Sequence, residues 1–317
     1  MSKLIISLTS LFLFSLFQYQ AKGQDVNPDF LTDYRLHVTD FKLCEKNEGL
    51  YVLAHRYSEN LGLNESFVCK FDFHRGKLHK LPIFIPSQAS SFAISSSGKT
   101  IVLGDFDGVI RVVECDLNHT LKTIYSNYGL VTSMCYSNDS KYLAIVYALP
   151  DSTDIKNRIV VLETDTWKEV NSSITPNNTY LRKVVFAYDN HNAKETKDKL
   201  VLVPGKNAKI AKEKSPIYYW DFKTNTFTNV SDSLNESVCE ENDLVKPSWS
   251  AYGYGVSNCS GDIEVWDFKN KCKSKTFRHE RDFVDYFHSI CVNDLDKIIA
   301  AAGNNTVHIW KKNNKKG

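Results

Sequence analysis

The chain has 317 residues, enough for one large or two ordinary domains, and 42% of them are hydrophobic, so a sizeable core can be buried. Sixteen Tyr and eighteen Phe stand against fourteen Gly and eight Pro, which excludes a disordered or collagen-like chain. The formal net charge of +2 supplies no basic excess, so no nucleic-acid partner is expected.

The first residues read as a targeting segment. Lys3 supplies a positive start, residues 4–17 form an apolar run, and Ala21 and Gly23 place small residues where a signal peptidase cuts. The run is shorter than the roughly 20 residues a membrane span needs. Residues 1–23 are therefore expected to be a signal peptide, with an uncleaved signal anchor as the competing reading. The mature chain would start near Gln24, enter the secretory pathway and carry no membrane span. Two further features fit a secreted protein. Asn-x-Ser/Thr triplets occur at Asn64, Asn118, Asn138, Asn171, Asn177, Asn229, Asn235, Asn258 and Asn304, candidate sites of N-glycosylation. The eight cysteines are even in number, which permits disulfides without fixing their connectivity. Cys44 and Cys69 could pair within one unit, and Cys239, Cys259 and Cys272 share another. Cys135 and Cys291 occupy matching places in SMCYS and SICVN, where a small buried residue is expected, and free thiols are one of two readings there.

Along the rest of the chain one strand-like run recurs, with a large apolar residue at its penultimate position. The runs are FVCKFD, VIRVVE, RIVVLE, PIYYWD, DIEVWD and TVHIWK, and the apolar positions are Phe71, Val113, Leu162, Trp220, Trp266 and Trp310. An acid follows in the first five. Their spacing lies mostly in the forties, with one longer step before Trp220, the period of a four-stranded propeller blade. The last unit shows the layout in full: runs at 286–292, 297–302 and 306–311, separated by Asn293-Asp294 and by Gly303-Asn304-Asn305. In DIEVWD, Ile263 and Val265 face one way and Trp266 the other, so both faces are apolar and the strand is sandwiched between sheets.

These residues resemble the WD-repeat family. The resemblance rests on Trp220-Asp221, Trp266-Asp267, the Asp107-Gly108 turn, and Arg278-His279 where the family has Gly-His. It implies an all-β fold, a single β-propeller of six four-stranded blades over residues 24–311, followed by a basic tail at 312–317. It also implies a structural role for His279. Seven blades remain open if a degenerate unit lies within 172–201 or 226–249. An N-terminal strand within 29–37 is expected to complete the last blade, which otherwise lacks its outer strand.

The fourth unit carries charged insertions at 189–199 and 205–215. The second holds Lys206, Lys209, Lys212 and Lys214, either an anion-binding loop or a solvated one. No Gly-x-Ser-x-Gly elbow, His-Glu-x-x-His pair or phosphate loop is present, and the cysteines never form Cys-x-x-Cys. Asp105 and Asp107 in GDFDG read as turn residues rather than calcium ligands. The expected function is a non-catalytic platform for a protein or peptide, monomeric and without cofactor or metal. The alternative is a secreted hydrolase of glycans or nucleotides acting at the central pore, with His37, Asp40 and His288 as its candidates.

Overall fold

A computed structural model describes residues 24–26, 36–44, 49–58, 63–72, 77–83, 85, 88–115, 119–149, 156–176, 181–186, 199–204, 218–229, 248–249, 254–257, 263–267, 272–277, 289–292, 298–302 and 307–311. The described chain opens with a short strand, β1 (Gln24–Val26). Blade 1 follows as β2 (Leu36–Cys44), β3 (Gly49–Ser58), β4 (Leu63–Asp72) and β5 (Lys77–Lys80). Blade 2 is β6 (Ala89–Ile94), β7 (Thr100–Asp105), β8 (Ile110–Glu114) and β9 (His119–Ile124). Blade 3 is β10 (Leu130–Tyr136), β11 (Tyr142–Ala148), β12 (Asn157–Glu163) and β13 (Lys168–Ile174). Blade 4 is β14 (Leu181–Phe186), β15 (Lys199–Pro204), β16 (Tyr218–Asp221) and β17 (Thr226–Asn229). Blade 5 is β18 (Ser248–Trp249), β19 (Tyr254–Ser257), β20 (Ile263–Asp267) and β21 (Cys272–Phe277). Blade 6 has β22 (Ser289–Val292), β23 (Ile298–Ala302) and β24 (Val307–Lys311), and its fourth strand is β1.

Six four-stranded antiparallel sheets result among the described residues, and each recurrent run of the sequence is the third strand of its blade. The ring closes as expected in kind but not in place. Gln24, Asp25 and Val26 pair with Ile309, His308 and Val307. Leu36 and His37, assigned from sequence to the donated strand, instead open β2, where they pair with Arg56 and His55. The innermost strand β2 touches β6 on one side and β22 on the other, joining blade 1 to blades 2 and 6. The stretches held open for a seventh blade contribute strands to the blades already counted: β14 and the start of β15 from 172–201, β17 and β18 from 226–249.

The core is distributed over the seams between blades. Along β11, Leu143, Ile145 and Tyr147 pack toward blade 2, while Ala144 and Val146 pack toward blade 4. Strand β12 alternates the same way, Val160 and Leu162 against Ile159 and Val161. Each Val, Leu or Ile side chain so buried contributes roughly 1.5–3 kcal/mol. In blades 2, 3 and 4 the recurrent apolar position faces the preceding blade: Val113 joins the blade 1–2 cluster, Leu162 the 2–3 cluster and Trp220 the 3–4 cluster. Phe71 is buried as well.

Polar side chains tie the seams. The Ala89 N–H, first in β6, donates to Ser66 Oγ at 3.0 Å, and the Leu181 N–H, first in β14, donates to Asn157 Oδ1 at 2.7 Å. In each case a residue near the start of a third strand caps the next blade's inner strand. Ser90 Oγ donates to Val131 O at 2.6 Å, and the Val184 N–H to Ser133 Oγ at 3.2 Å.

The Cys44–Cys69 disulfide is corrected by the topology. Cys44 sits in β2 opposite Gly49 and Cys69 in β4 opposite Val52, with β3 between them. Two strand spacings amount to about 9.5 Å, beyond the roughly 7 Å a disulfide can bridge. Neither is in a disulfide and both are buried, and Cys44 Sγ lies 3.4 Å from Ser96 O. Burial pushes the Cys69 thiol up to about 12 despite the nearby Lys80 ammonium. Cys115 and Cys135 are in no disulfide either.

Candidate binding surface

In an antiparallel four-stranded blade, the turns from second to third strand and the connections to the next blade lie at one end. That end is called the upper rim here. On blades 1 to 3 it presents three large side chains to solvent: Tyr57 near the end of β3, Phe106 between β7 and β8, and Tyr125 between β9 and β10. Their exposures are 51%, 49% and 79%, against near zero for the aromatic residues of the seams.

The turn that carries Phe106 is fixed from several sides. Asp105 Oδ1 accepts the Asp107 and Val109 N–H groups at 3.1 and 2.8 Å, and Oδ2 pairs with Arg111 Nη1 at 2.8 Å. Gly108 has φ of +81°, and a side chain there would strike Gly129 O at 2.5 Å. Ser126 Oγ donates to Gly108 O at 3.0 Å, so the Phe106 turn and the segment holding Tyr125 are one surface. The aspartates proposed and discounted as calcium ligands thus serve the turn, with a guanidinium already on Asp105.

That surface continues across the blade 2–3 seam. The Tyr147 hydroxyl hydrogen-bonds with Ser126, and burial pushes it up to about 12. The Tyr128 ring meets Tyr147 edge-on, with centroids 5.4 Å apart. Arg158, near the start of β12, lays its guanidinium over the Tyr128 ring at 4.5 Å. Its Nε–H is buried without a hydrogen-bond acceptor. Ile174, across β13 from Arg158, is 43% exposed. Phe106, Tyr125, Tyr128, Arg158 and Ile174 therefore follow one another along the upper rim.

The residues singled out from sequence fall elsewhere. Phe71, Val113, Leu162 and Trp220 are core residues, and the side chains of Trp266 and Trp310 lie outside the described set, as does His279. Trp220 Nε1 donates to Asn225 Oδ1 at 3.0 Å, so the indole is satisfied by its own hairpin turn. Lys206, Lys209, Lys212 and Lys214 lie outside the described residues, between β15 and β16. Of the acceptor asparagines, Asn138 and Asn229 are exposed, and Asn64 is opposite Tyr57 in the β3–β4 ladder. Asn171 Nδ2 donates to Phe222 O, and Asn171 Oδ1 accepts the Ser172 N–H at 2.7 Å. Asn118, Asn177, Asn235, Asn258 and Asn304 lie outside the described residues. Asp40 is buried beside Lys42, Oδ2 to Nζ 3.1 Å, while His37 lies in β2 and His288 outside the described set.

No family model matches the chain, and no curated protein does by sequence. Solved structures do match. The chain is similar to the WD40 repeats of RRP9, with a TM-score of 0.60 at 11% identity over 92% of this chain and 99% of that one. It is similar to U3-55K, with a TM-score of 0.56 at 10% identity over 91% and 98% of the two chains. A chain of the mitotic checkpoint complex matches with a TM-score of 0.54 at 12% identity, over 92% of this chain and 90% of that chain. At such identities the likeness speaks for the fold, and the fold is that of a WD-repeat β-propeller.

Proposed function

We propose that the protein is a secreted, non-catalytic β-propeller that holds a protein or peptide partner on the upper rim of blades 2 and 3. The observation that carries this reading is the placement of Phe106 and Tyr125, both well exposed, on turns pinned by Asp105, Gly108 and Ser126. Exposed aromatic side chains on a rigid frame lose little entropy on binding and are frequent anchors of interfaces. Loops on a fixed scaffold are also where binding function concentrates. The proteins of like fold support a platform role by analogy alone.

Secretion is proposed from the leader at 1–23 and the run of acceptor triplets. Glycans at Asn138 and Asn229 would stand on exposed backbone, while one at Asn64 would share the upper rim with Tyr57. The mature protein works as a monomer in this reading, with no cofactor and no membrane span.

The test is affinity capture from the natural secretory fluid, using the purified glycosylated protein beside a Phe106→Ser/Tyr125→Ser double variant. The expected result is a partner retained by the first and lost by the second. A partner held equally by both would move the interface off this rim and overturn the reading.

A further inference from the structure

The partner's chemistry can be read from the guanidinium at the blade 2–3 seam, an inference that rests on the platform reading above. We propose that this rim recognises an extended peptide segment carrying a carboxylate next to an apolar side chain. The carboxylate meets Arg158, and the apolar group covers Phe106 and Tyr125.

Three observations lead there. Arg56 and Arg111 each have a carboxylate, Glu65 at 3.2 Å and Asp105 at 2.8 Å. Arg158 has none among the described residues, and one of its donors is buried unsatisfied. Nε itself is out of an incoming group's reach, but Arg158 as a whole is only partly buried, so its terminal nitrogens can take an acceptor from outside. Second, the guanidinium is pre-placed. It lies over the Tyr128 ring, which Tyr147 meets edge-on, so the guanidinium is held in place before a partner arrives. Third, the surroundings are apolar and only weakly positive. Ile174 flanks Arg158, Phe106 and Tyr125 lie along the rim, and Asp105 and Glu169 both act on Tyr147 at the base of the seam. One carboxylate matches the guanidinium in that field, with Lys156 two residues before it. A nucleic-acid backbone, charged at every step, would need more cations than Arg158 and Lys156 supply.

The test uses the intact mature chain and a randomised peptide library displayed on phage. Selected sequences are expected to share Asp or Glu within a residue or two of Phe, Leu or Ile. Replacing that acid by its amide in a synthetic, fluorescently labelled peptide should weaken binding by about tenfold or more. Arg158→Gln should do the same to the parent peptide and nothing further to the amide peptide, the non-additivity of a direct pair. Arg158→Lys keeps the charge without the fork and should fall between. Peptides that lose binding in the Phe106→Ser/Tyr125→Ser protein but carry no shared acid and ignore Arg158→Gln would overturn this inference and leave the platform standing. Peptides indifferent to all these changes would overturn the platform itself. Asp154, four residues before Arg158, lies outside the described residues; a double-mutant cycle in which Arg158→Gln and Asp154→Asn are strongly non-additive in stability would place the carboxylate within the chain and also overturn the inference.

Discussion

The seam between blades 3 and 4 and the seam between blades 2 and 3 are built from the same repeat, yet they end differently at the surface. In the first, Trp220 stacks on Phe227 with centroids 5.9 Å apart and planes 13° from parallel. Phe222 fills the space between Tyr142 and Phe186, edge-on to each. Those rings satisfy one another and leave little aromatic surface to water. In the second, the buried layer is mainly aliphatic, Val102, Val131, Leu143 and Ile145 among them, Tyr147 is its buried ring, and Phe106 and Tyr125 stand exposed on the rim above it. Aromatic surface spent inside stabilises the ring of blades, whereas aromatic surface left on the rim is free to meet something else.

The comparison can be broken at either seam. Trp220→Ala should cost the most, about 3–5 kcal/mol, because a fully buried ring leaves a cavity that its neighbours cannot fill. Chemical denaturation of the purified protein measures it. Gly104→Val attacks the other seam. A side chain at Gly104 would meet Val131 Cγ1 at 2.6 Å, and Val131 is stiff, so overpacking should destabilise by about 1–3 kcal/mol.

A thiol distinguishes the seams further. Cys135 packs against the blade 3–4 cluster, and burial pushes its thiol up to about 12 in spite of Lys42, a Phe186 backbone hydrogen bond and Lys183. Alkylation at about pH 8 should run at less than roughly a hundredth of the rate for the unfolded chain. Trp220→Ala should raise that rate sharply and Gly104→Val much less. Equal acceleration by the two would mean that the seams open together.

The smallest effect concerns Asp221, in the hairpin beside Trp220. Burial pushes its carboxyl up, but the Thr224 N–H and hydroxyl, the Lys223 N–H and Lys199 outweigh that and hold it below the ordinary carboxylate value. The two N–H groups donate to Oδ1 at 3.0 Å each. A depressed folded value means stability that is present above the unfolded value and lost as pH falls through the folded one. Asp221→Asn should therefore lower Tm slightly at neutral pH and leave it unchanged in acid. A deficit that persists in acid would assign the effect to packing.

The blades were legible in the sequence because their signals are local. An apolar residue followed by an acid repeats at five of the six third strands, and alternation along β11 and β12 follows directly from period two. Closure was legible in kind only. The ladder between β1 and β24 is made of backbone groups that almost any residues can supply, so the richer alternation of 29–37 drew the assignment away from Gln24–Val26. The proposed Cys44–Cys69 bridge failed because sequence distance says nothing of the strand lying between them. The candidate surface was least legible. Phe106 comes from the β7–β8 turn, Tyr125 and Tyr128 from the β9–β10 connection and Arg158 from the start of β12, and only the docking of blade 3 on blade 2 makes them neighbours. The one local hint was aromatic residues at Tyr125 and Tyr128, inside a connection where turn residues suffice.

The most direct measurement compares wild type with Phe106→Ser/Tyr125→Ser in thermal unfolding and in binding of a library-selected peptide, on the same preparations. If the rim is a surface left open for a partner, Tm should stay within about 2 °C while affinity falls by about tenfold or more. A clear drop in Tm with affinity unchanged would show that these rings belong to the fold and that the partner sits elsewhere.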